Sequence, residues 1–287
     1  MTRYLNPKSD LVFKKIFEEH PHLLKSFLNT FLPLPPDRLI ERVDPLPTEN
    51  IPEIPGFKYS VVDVRCIDTQ GRHFIVEMQI RWTDHFMQRM LFNSASAYVR
   101  QLQKGETYDK LCPVYGLSIV DAKFSEDHQG WFHHYQMKNV QDPTKTLDDI
   151  QLVFLELPKF KPTTMGEKKL TVLWLRFLTE INEKTQTVDP SLFESPEISE
   201  ALKYTEIAAY TSDELRVYDA NWDAISTEKT LLLDTYQEGK MEGLEQGREE
   251  IAHTLLSNGL TAEFVSKNTN IDLDIVKKIQ TALLIAK

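Results

Sequence analysis

Two apolar segments that each contain one carboxylate constrain this chain more than any other feature of its sequence. The runs 58–67 and 72–80 are rich in Val, Ile and Phe, and a short link containing glycine joins them. Such a link between two such runs predicts a β-hairpin. Asp63 lies in the first run and Glu77 in the second, where acids are rare because a buried strand gives a charge no water. A hairpin with its turn between the runs places the two acids opposite each other.

Two opposed carboxylates, about 5 Å apart on a sheet, repel each other unless a positive charge lies between them. A divalent cation supplies that charge, and oxygen ligands suit Mg²⁺. Such a metal can activate water and stabilise charge on a phosphoryl group. Gln79 shares a face with Glu77, because it follows two residues later. The alternative is a sheet with one solvated face, on which Asp63, Arg65, Glu77 and Gln79 are ordinary polar alternation.

The elements around the hairpin alternate between helical and extended periodicity. Segment 9–32 has apolar residues at helical spacing, with Ser9 as a predicted N-cap and Pro21 dividing it into two helices. Seven prolines make 33–57 an extended connector, and a further helix is predicted at 84–103. Three more strands are predicted at 113–120, 131–137 and 151–157. This order predicts an α/β fold with a mixed sheet core over residues 1–160.

The second half of the chain is predicted to be helical. Helical patterns rich in Glu and Lys occupy 167–183, 195–210 and 212–237. We therefore divide the chain into a core at 1–160, a helical extension at 161–237 and a tail at 238–287. In the tail, Gly239, Gly243 and Gly247 stand four residues apart, and two short helical patterns follow. These two helices could form a DNA-binding helix-turn-helix. Their surface has little net charge, however, and is therefore poor for phosphate contact, which favours an assembly or regulatory module.

Composition limits the classes of function. A net charge of -10 argues against nucleic-acid binding, because phosphate affinity comes from Lys and Arg. The excess is uneven, however: 1–160 hold 19 basic and 21 acidic residues, whereas 161–287 hold 14 and 22. No apolar run is long enough to span a membrane, and the first residues lack the pattern of a signal peptide. The missing signal-peptide pattern predicts a cytoplasmic protein. Cys66 and Cys112 are far apart and have no metal-like spacing, so we expect neither a disulfide framework nor a zinc ribbon.

An acid in one strand, followed fourteen residues later by Glu-X-Gln in the next, resembles the PD-(D/E)XK nuclease pattern. More narrowly, the chain resembles the bacterial Rpn family of recombination-promoting nucleases and transposase-like proteins. The matching stretches are 9–17, 62–64, 76–79, 104–108 and the glycine-containing 238–243. The resemblance covers most of residues 1–160 and the tail.

This resemblance implies a restriction-endonuclease-like core and Mg²⁺-dependent DNA cleavage linked to recombination or transposition. It makes Asp63 and Glu77 the metal ligands and gives Gln79 a part in positioning the attacking water. Gln79 stands where the wider superfamily has Lys, and a neutral amide cannot stabilise charge as an ammonium does. Glu-X-Gln is nevertheless common in the narrower family. Val62 occupies the place where the superfamily pattern has Pro.

Three other residues are candidate members of the site. Asp10 is either an accessory acid or an acid that favours the N-terminus of the first helix. Lys14 either contacts DNA phosphate or faces solvent. Arg89 is better placed to bind phosphate, because it lies on the polar face of the helix after the hairpin. A solvated helix face is the alternative for Arg89.

The sequence therefore predicts a Mg²⁺-dependent DNA endonuclease that uses Asp63, Glu77 and Gln79. The alternative is a catalytically weak DNA-binding or protein-interaction member of the same fold, working through its helical half. A homodimer would suit an enzyme that cuts duplex DNA, although no residue of the sequence demonstrates one.

Overall fold

The computed structural model describes residues 3–50, 60–162 and 169–285. The strands are β1 (Val43–Pro45), β2 (Glu49–Asn50), β3 (Ser60–Val61), β4 (Val64–Asp68), β5 (His73–Gln79), β6 (Val114–Val120), β7 (Phe132–Lys138) and β8 (Thr146–Glu156). The helices are α1 (Asp10–Phe17), α2 (Pro21–Phe31), α3 (Phe86–Val99), α4 (Lys169–Glu180), α5 (Pro196–Lys203), α6 (Ser212–Ser257), α7 (Ala262–Thr269) and α8 (Leu273–Ile285). The predicted α/β core and helical second half are confirmed.

A six-stranded mixed sheet in the order β1-β4-β5-β6-β8-β7 forms the centre of the fold, and β2 pairs separately with β3. The three central strands β5, β6 and β8 are parallel, whereas β1 and β7 lie antiparallel at the two edges. The whole of β6 is buried, as expected for a strand covered on both faces. Because β5, β6 and β8 run parallel, all three end at the same edge of the sheet.

The predicted hairpin is formed by β4 and β5, which pair antiparallel with Val64 opposite Val76. Its turn includes Gly71, whose φ of +78° lies in the left-handed region that favours glycine. A Cβ at Gly71 would also approach the Cys112 sulfur to 2.8 Å. The beginning of the first predicted strand, 58–59, lies outside the described residues.

Helix α3 packs across one face of the sheet. Ile75, Met90 and Phe154 belong to the apolar cluster that this packing buries. Gly116 on β6 permits the close approach, because a Cβ there would lie 2.7 Å from the Met90 Cε atom and 2.9 Å from the Ser94 hydroxyl. Helix α3 is shorter than the helix predicted over 84–103. Its position is fixed by contact with the sheet.

The first two helices form an aromatic cluster with α4. Ser9 accepts a hydrogen bond from the Val12 N–H as the predicted N-cap of α1, and Pro21 begins α2 as expected. Phe17 and Phe27 have ring centroids 4.7 Å apart, and Trp174 lies 5.2 Å from Phe27. This cluster ties α4, which follows the sheet in sequence, to the N-terminal helices.

The predicted connector and later strands have clear counterparts. Strands β1 and β2 lie within 33–57, and 51–57 fall outside the described residues. The strands predicted at 113–120, 131–137 and 151–157 correspond to β6, β7 and the second half of β8. The start of the helix predicted from residue 167 also falls outside the described part.

The chain forms two compact units, Met1–Tyr218 and Asp219–Lys287. The second has its own apolar cluster, which includes Ala252, Val265 and Val276. Helix α6 continues without interruption through 237–238, where the sequence suggested that a tail begins. The division of the chain at 160 and 237 into three parts stays a prediction. Among the described helices, none is long and apolar enough to cross a membrane.

Candidate functional site

Asp63 and Glu77 lie side by side where β4 begins and β5 approaches its end. Asp63 precedes β4 by one residue, and the pairing of Val64 with Val76 continues to place it next to Glu77. The Asp63 Oδ2 atom accepts a hydrogen bond of 2.6 Å from the Met78 backbone N–H. Glu77 is only 5% exposed. The structure therefore brings the two predicted acids together, with the Asp63 carboxylate fixed by the backbone of β5.

Burial and mutual repulsion disfavour the ionised forms of both acids. Burial raises the pKa of Glu77 to about 8, and the charge of Asp63 adds to this effect. Burial likewise raises the pKa of Asp63 to about 6, although the hydrogen bond from Met78 opposes the change. Two carboxylates that resist ionisation next to each other have a strong electrostatic demand for a cation.

Arg89 on α3 contacts both Glu77 and Gln79. The Arg89 Nη2 atom donates a hydrogen bond of 2.7 Å to the Gln79 Oε1 atom. The same nitrogen lies 3.6 Å from the Glu77 Oε2 atom. The other end of the Gln79 amide donates to the Arg81 carbonyl. Gln79 therefore holds the guanidinium of Arg89 beside the acid pair.

Asp10 and Lys14 form an ion pair on α1, with the Lys14 Nζ atom 3.0 Å from an Asp10 carboxylate oxygen. Burial opposes the charge of Lys14, but its bond and attraction to Asp10 leave the pKa raised, with a smaller contribution from Asp63. The charge of Lys14 also favours ionised Asp63 and Glu77, whereas Asp10 disfavours ionised Asp63. The structure thus places both α1 residues within electrostatic reach of the acid pair.

Asn93 belongs to this site, and the sequence interpretation missed it. Its Nδ2 atom lies 3.5 Å from the Glu77 Oε1 atom, and the residue is fully buried. Its Oδ1 atom and the hydroxyl of Ser118, the neighbour of Glu77 on β6, are buried without a hydrogen-bond partner in the described part of the chain. The available signal was helical spacing, because Asn93 follows Arg89 by four residues and shares its face.

The oxygen donors at this site fit a Mg²⁺ ion. No group of three His, Cys, Asp or Glu residues suited to a metal occurs among the residues searched, 3–50, 60–162 and 169–285. Mg²⁺ commonly takes one or two carboxylates and completes its shell with water and substrate phosphates. Asp63 and Glu77 supply such a pair, and the orphaned Asn93 oxygen adds a neutral polar atom nearby. The donor set therefore suits a hard cation and not zinc.

Glu156 shows why an acid in an apolar strand is not by itself a site. It ends β8 and is fully buried, as unusual a place as that of Glu77. Its carboxylate, however, accepts from the Phe124 N–H and contacts the His133 Nε2 and Lys159 Nζ atoms, each at 3.0 Å. Glu156 is therefore satisfied by protein groups, whereas Asp63 and Glu77 form a repelling pair.

Comparison with known proteins identifies one family. A family model described as PD-(D/E)XK nuclease family transposase matches residues 7–234, which include all the site residues described above. Searches of curated proteins and of solved structures found no match. The mixed sheet with flanking helices is consistent with the PD-(D/E)XK nuclease fold.

Proposed function

This chain belongs to the family of PD-(D/E)XK nuclease transposases, and from that membership we propose that it is a Mg²⁺-dependent DNA endonuclease acting in recombination or transposition. One observation carries the proposal, namely the adjacent carboxylates of half-buried Asp63, just before β4, and buried Glu77 on β5, both with raised pKa values. The charges of Arg89 and Lys14 offset only part of this repulsion, since the pKa values of both acids stay raised. A divalent cation held by both carboxylates would offset the rest.

In this proposal Asp63 and Glu77 hold the metal. The metal supplies charge that activates water and stabilises the phosphate undergoing transfer. The Met78 N–H keeps the Asp63 carboxylate oriented, because it donates to Oδ2 at 2.6 Å. The buried Asn93 amide does the same for Glu77 from the α3 side. Both acids are thus positioned before any ligand binds.

Gln79 and Arg89 divide the work that a lysine would do alone. A lysine at position 79 would bring positive charge, which an amide lacks. Arg89 brings a guanidinium to within 2.7 Å of Gln79, so the cation comes from the helix. Its remaining N–H groups can donate to phosphate oxygens. The Gln79 oxygen has a second lone pair, with which it can orient a water molecule while it holds Arg89.

A second function of a different class has one specific observation in its favour. Gln79 is neutral, and both ends of its amide already bond to protein groups. Such a site could bind DNA or a protein partner while cutting slowly or not at all. This alternative predicts DNA binding or assembly without metal-dependent cleavage.

Cleavage of supercoiled plasmid by the full chain, with Mg²⁺ or with EDTA, tests the proposal. The wild type is expected to produce nicked or linear DNA only with Mg²⁺. Asp63→Ala and Glu77→Gln are expected to reduce the rate by more than about 100-fold, because each removes a metal ligand. Asp148→Asn is a matched control, because Asp148 is an exposed acid of the same sheet.

Two outcomes would contradict the proposal. Cleavage that persists unchanged in Asp63→Ala means that this site does not perform the reaction. DNA binding without cleavage at any Mg²⁺ concentration supports the catalytically weak alternative. Thermal melting of each variant distinguishes loss of a ligand from loss of the fold.

A further inference from the structure

The exposed surface of α3 combines apolar and cationic residues. Leu91 is 50% exposed, Phe92 43% and Val99 70%. Arg89 and Arg100 are also exposed on this helix. Exposed apolar side chains grouped on one helix are characteristic of a binding surface.

The charge around this surface is unusual for so acidic a protein. No Asp or Glu occurs between Asp84 and Glu106, which is the longest acid-free stretch in a chain with 43 acids. Arg89, Arg100 and Lys104 fall within that stretch. The side chains of this stretch therefore carry only positive charge, although Asp149 of β8 accepts a hydrogen bond from Tyr98 on α3. The charge of the stretch itself is complementary to a polyanion.

The positive charge extends from α3 to the neighbouring strand. Arg65 on β4 pairs with Ile75 on β5, a residue of the cluster that packs against α3, so Arg65 lies on the α3 face of the sheet. Arg65 follows Asp63 by two residues and so lies on the same face of the hairpin. The guanidinium of Arg89, at 3.6 Å from Glu77, links this positive surface to the acid pair.

The length of the surface matches a short piece of duplex. The eleven steps from Arg89 to Arg100 rise by about 16 Å, at 1.5 Å per helical residue. That distance corresponds to about five base pairs at 3.4 Å each. A duplex whose scissile phosphate lies at Asp63 and Glu77 would reach Arg100 with its flanking phosphates.

We propose that the exposed side of α3, together with the turn that follows it as far as Lys104, is the surface on which duplex DNA lies beside the metal site. The cations bind backbone phosphates, and Phe92 contacts sugars and bases in a groove, where an apolar side chain can act as a wedge. Duplex DNA fits better than a second copy of the chain, because two such faces would bring like charges together. This inference rests on the proposed nuclease function.

Binding of a fluorescein-labelled 30-base-pair duplex to the full chain, in EDTA so that the DNA stays intact, tests the surface. The double variant Arg100→Glu and Lys104→Glu is expected to bind on the order of tenfold more weakly, with the slope of log affinity against log salt reduced by about two. Phe92→Ser is expected to weaken binding and leave the salt slope unchanged. The controls Lys138→Glu and Phe193→Ser change exposed residues of the same types elsewhere and are expected to bind like the wild type.

Plasmid nicking and sedimentation separate the remaining outcomes. If wild-type protein nicks DNA with Mg²⁺ and the α3 variants bind and nick normally, the α3 surface is wrong and the nuclease function stands. If wild-type protein neither binds nor nicks DNA, both fail. If Phe92→Ser converts a dimer to a monomer without changing DNA affinity, this face joins two copies and the inference is overturned.

Discussion

The Arg89 guanidinium lies 3.6 Å from the Glu77 carboxylate, so a surface helix holds a cation against a buried acid of the central sheet. The same guanidinium donates to the side-chain oxygen of Gln79. Arg89 therefore joins the two halves of the Glu-X-Gln motif. Its charge also favours the ionised form of Glu77.

Replacement of Arg89 tests whether the helix supplies the charge that Gln79 lacks. Arg89→Ala is expected to reduce the plasmid nicking rate at saturating Mg²⁺ by about 100-fold, because loss of one positioned donor typically has that effect. Arg89→Lys is expected to recover part of this rate, since it keeps the charge and loses the planar fork. Arg42→Ala, at an exposed arginine that directly precedes β1, is the control. Equal rates for Arg89→Ala and wild type would show that Arg89 has no part in cleavage.

The stability of the metal-free protein is expected to fall as pH rises. The pKa of Glu77 is raised in the fold by burial and by Asp63, to about 8. A raised pKa gives stability that is fully present below the unfolded pKa, near 4.3, and lost as pH rises through the folded pKa. Glu77→Gln removes this titration, so its melting temperature in EDTA should change less between pH 5 and pH 8.5 than that of the wild type.

This pH comparison has a direct control and a clear contrary result. Glu126→Gln, at an exposed acid, should follow the wild-type profile. A Glu77→Gln protein that loses as much stability as the wild type between the two pH values would show that Glu77 does not titrate as described. The measurement requires no DNA and no cleavage.

Divalent metal is expected to raise the melting temperature of the wild type at pH 8. Saturation to about 100 times the dissociation constant adds about 2.7 kcal/mol, because the metal binds the folded form alone. EDTA should reverse the gain. Asp63→Ala should show no gain with Mg²⁺, whereas Asp148→Asn should respond as the wild type does. An equal metal response in Asp63→Ala would place the metal elsewhere.

Glu156 is expected to matter for stability and not for metal binding. Glu156→Ala leaves the buried groups of His133, Lys159 and Phe124 without their shared acceptor, a change that costs on the order of 3–5 kcal/mol. Glu156→Gln should cost less, because its amide oxygen still accepts. Urea unfolding measures both effects, with Glu126→Ala as the exposed control. A Glu156→Ala protein as stable as the control would mean that the cluster contributes little.

The β4–β5 hairpin is a part of the fold that local sequence signals predict. Alternating apolar residues and a glycine-containing turn are local signals, so they predict the two strands and place Asp63 opposite Glu77. Ser9 and Pro21 likewise mark the helix boundaries near the N-terminus, because capping and proline geometry act within one turn. These features depend on neighbours in sequence and could be predicted without the fold.

The position of Asn93 shows where the sequence interpretation ends. Nothing local distinguishes this amide from other polar residues on α3. Its place beside Glu77 depends on how closely α3 approaches the sheet, which Gly116 on β6 permits. Local periodicity also could not set the length of α6, which continues through three glycines because each costs a helix only about 1 kcal/mol.

The sequence by itself therefore determined the hairpin, its two acids, the alternation of elements and the resemblance to a nuclease family. Only the tertiary structure decided which other groups surround those acids. Lys14 lies on α1, whereas Arg89 and Asn93 lie on α3. Packing of these helices against the sheet brings the three side chains to one edge, near the two acids. Local propensity acts over a few residues, whereas a site is assembled by burial of apolar faces distant along the chain.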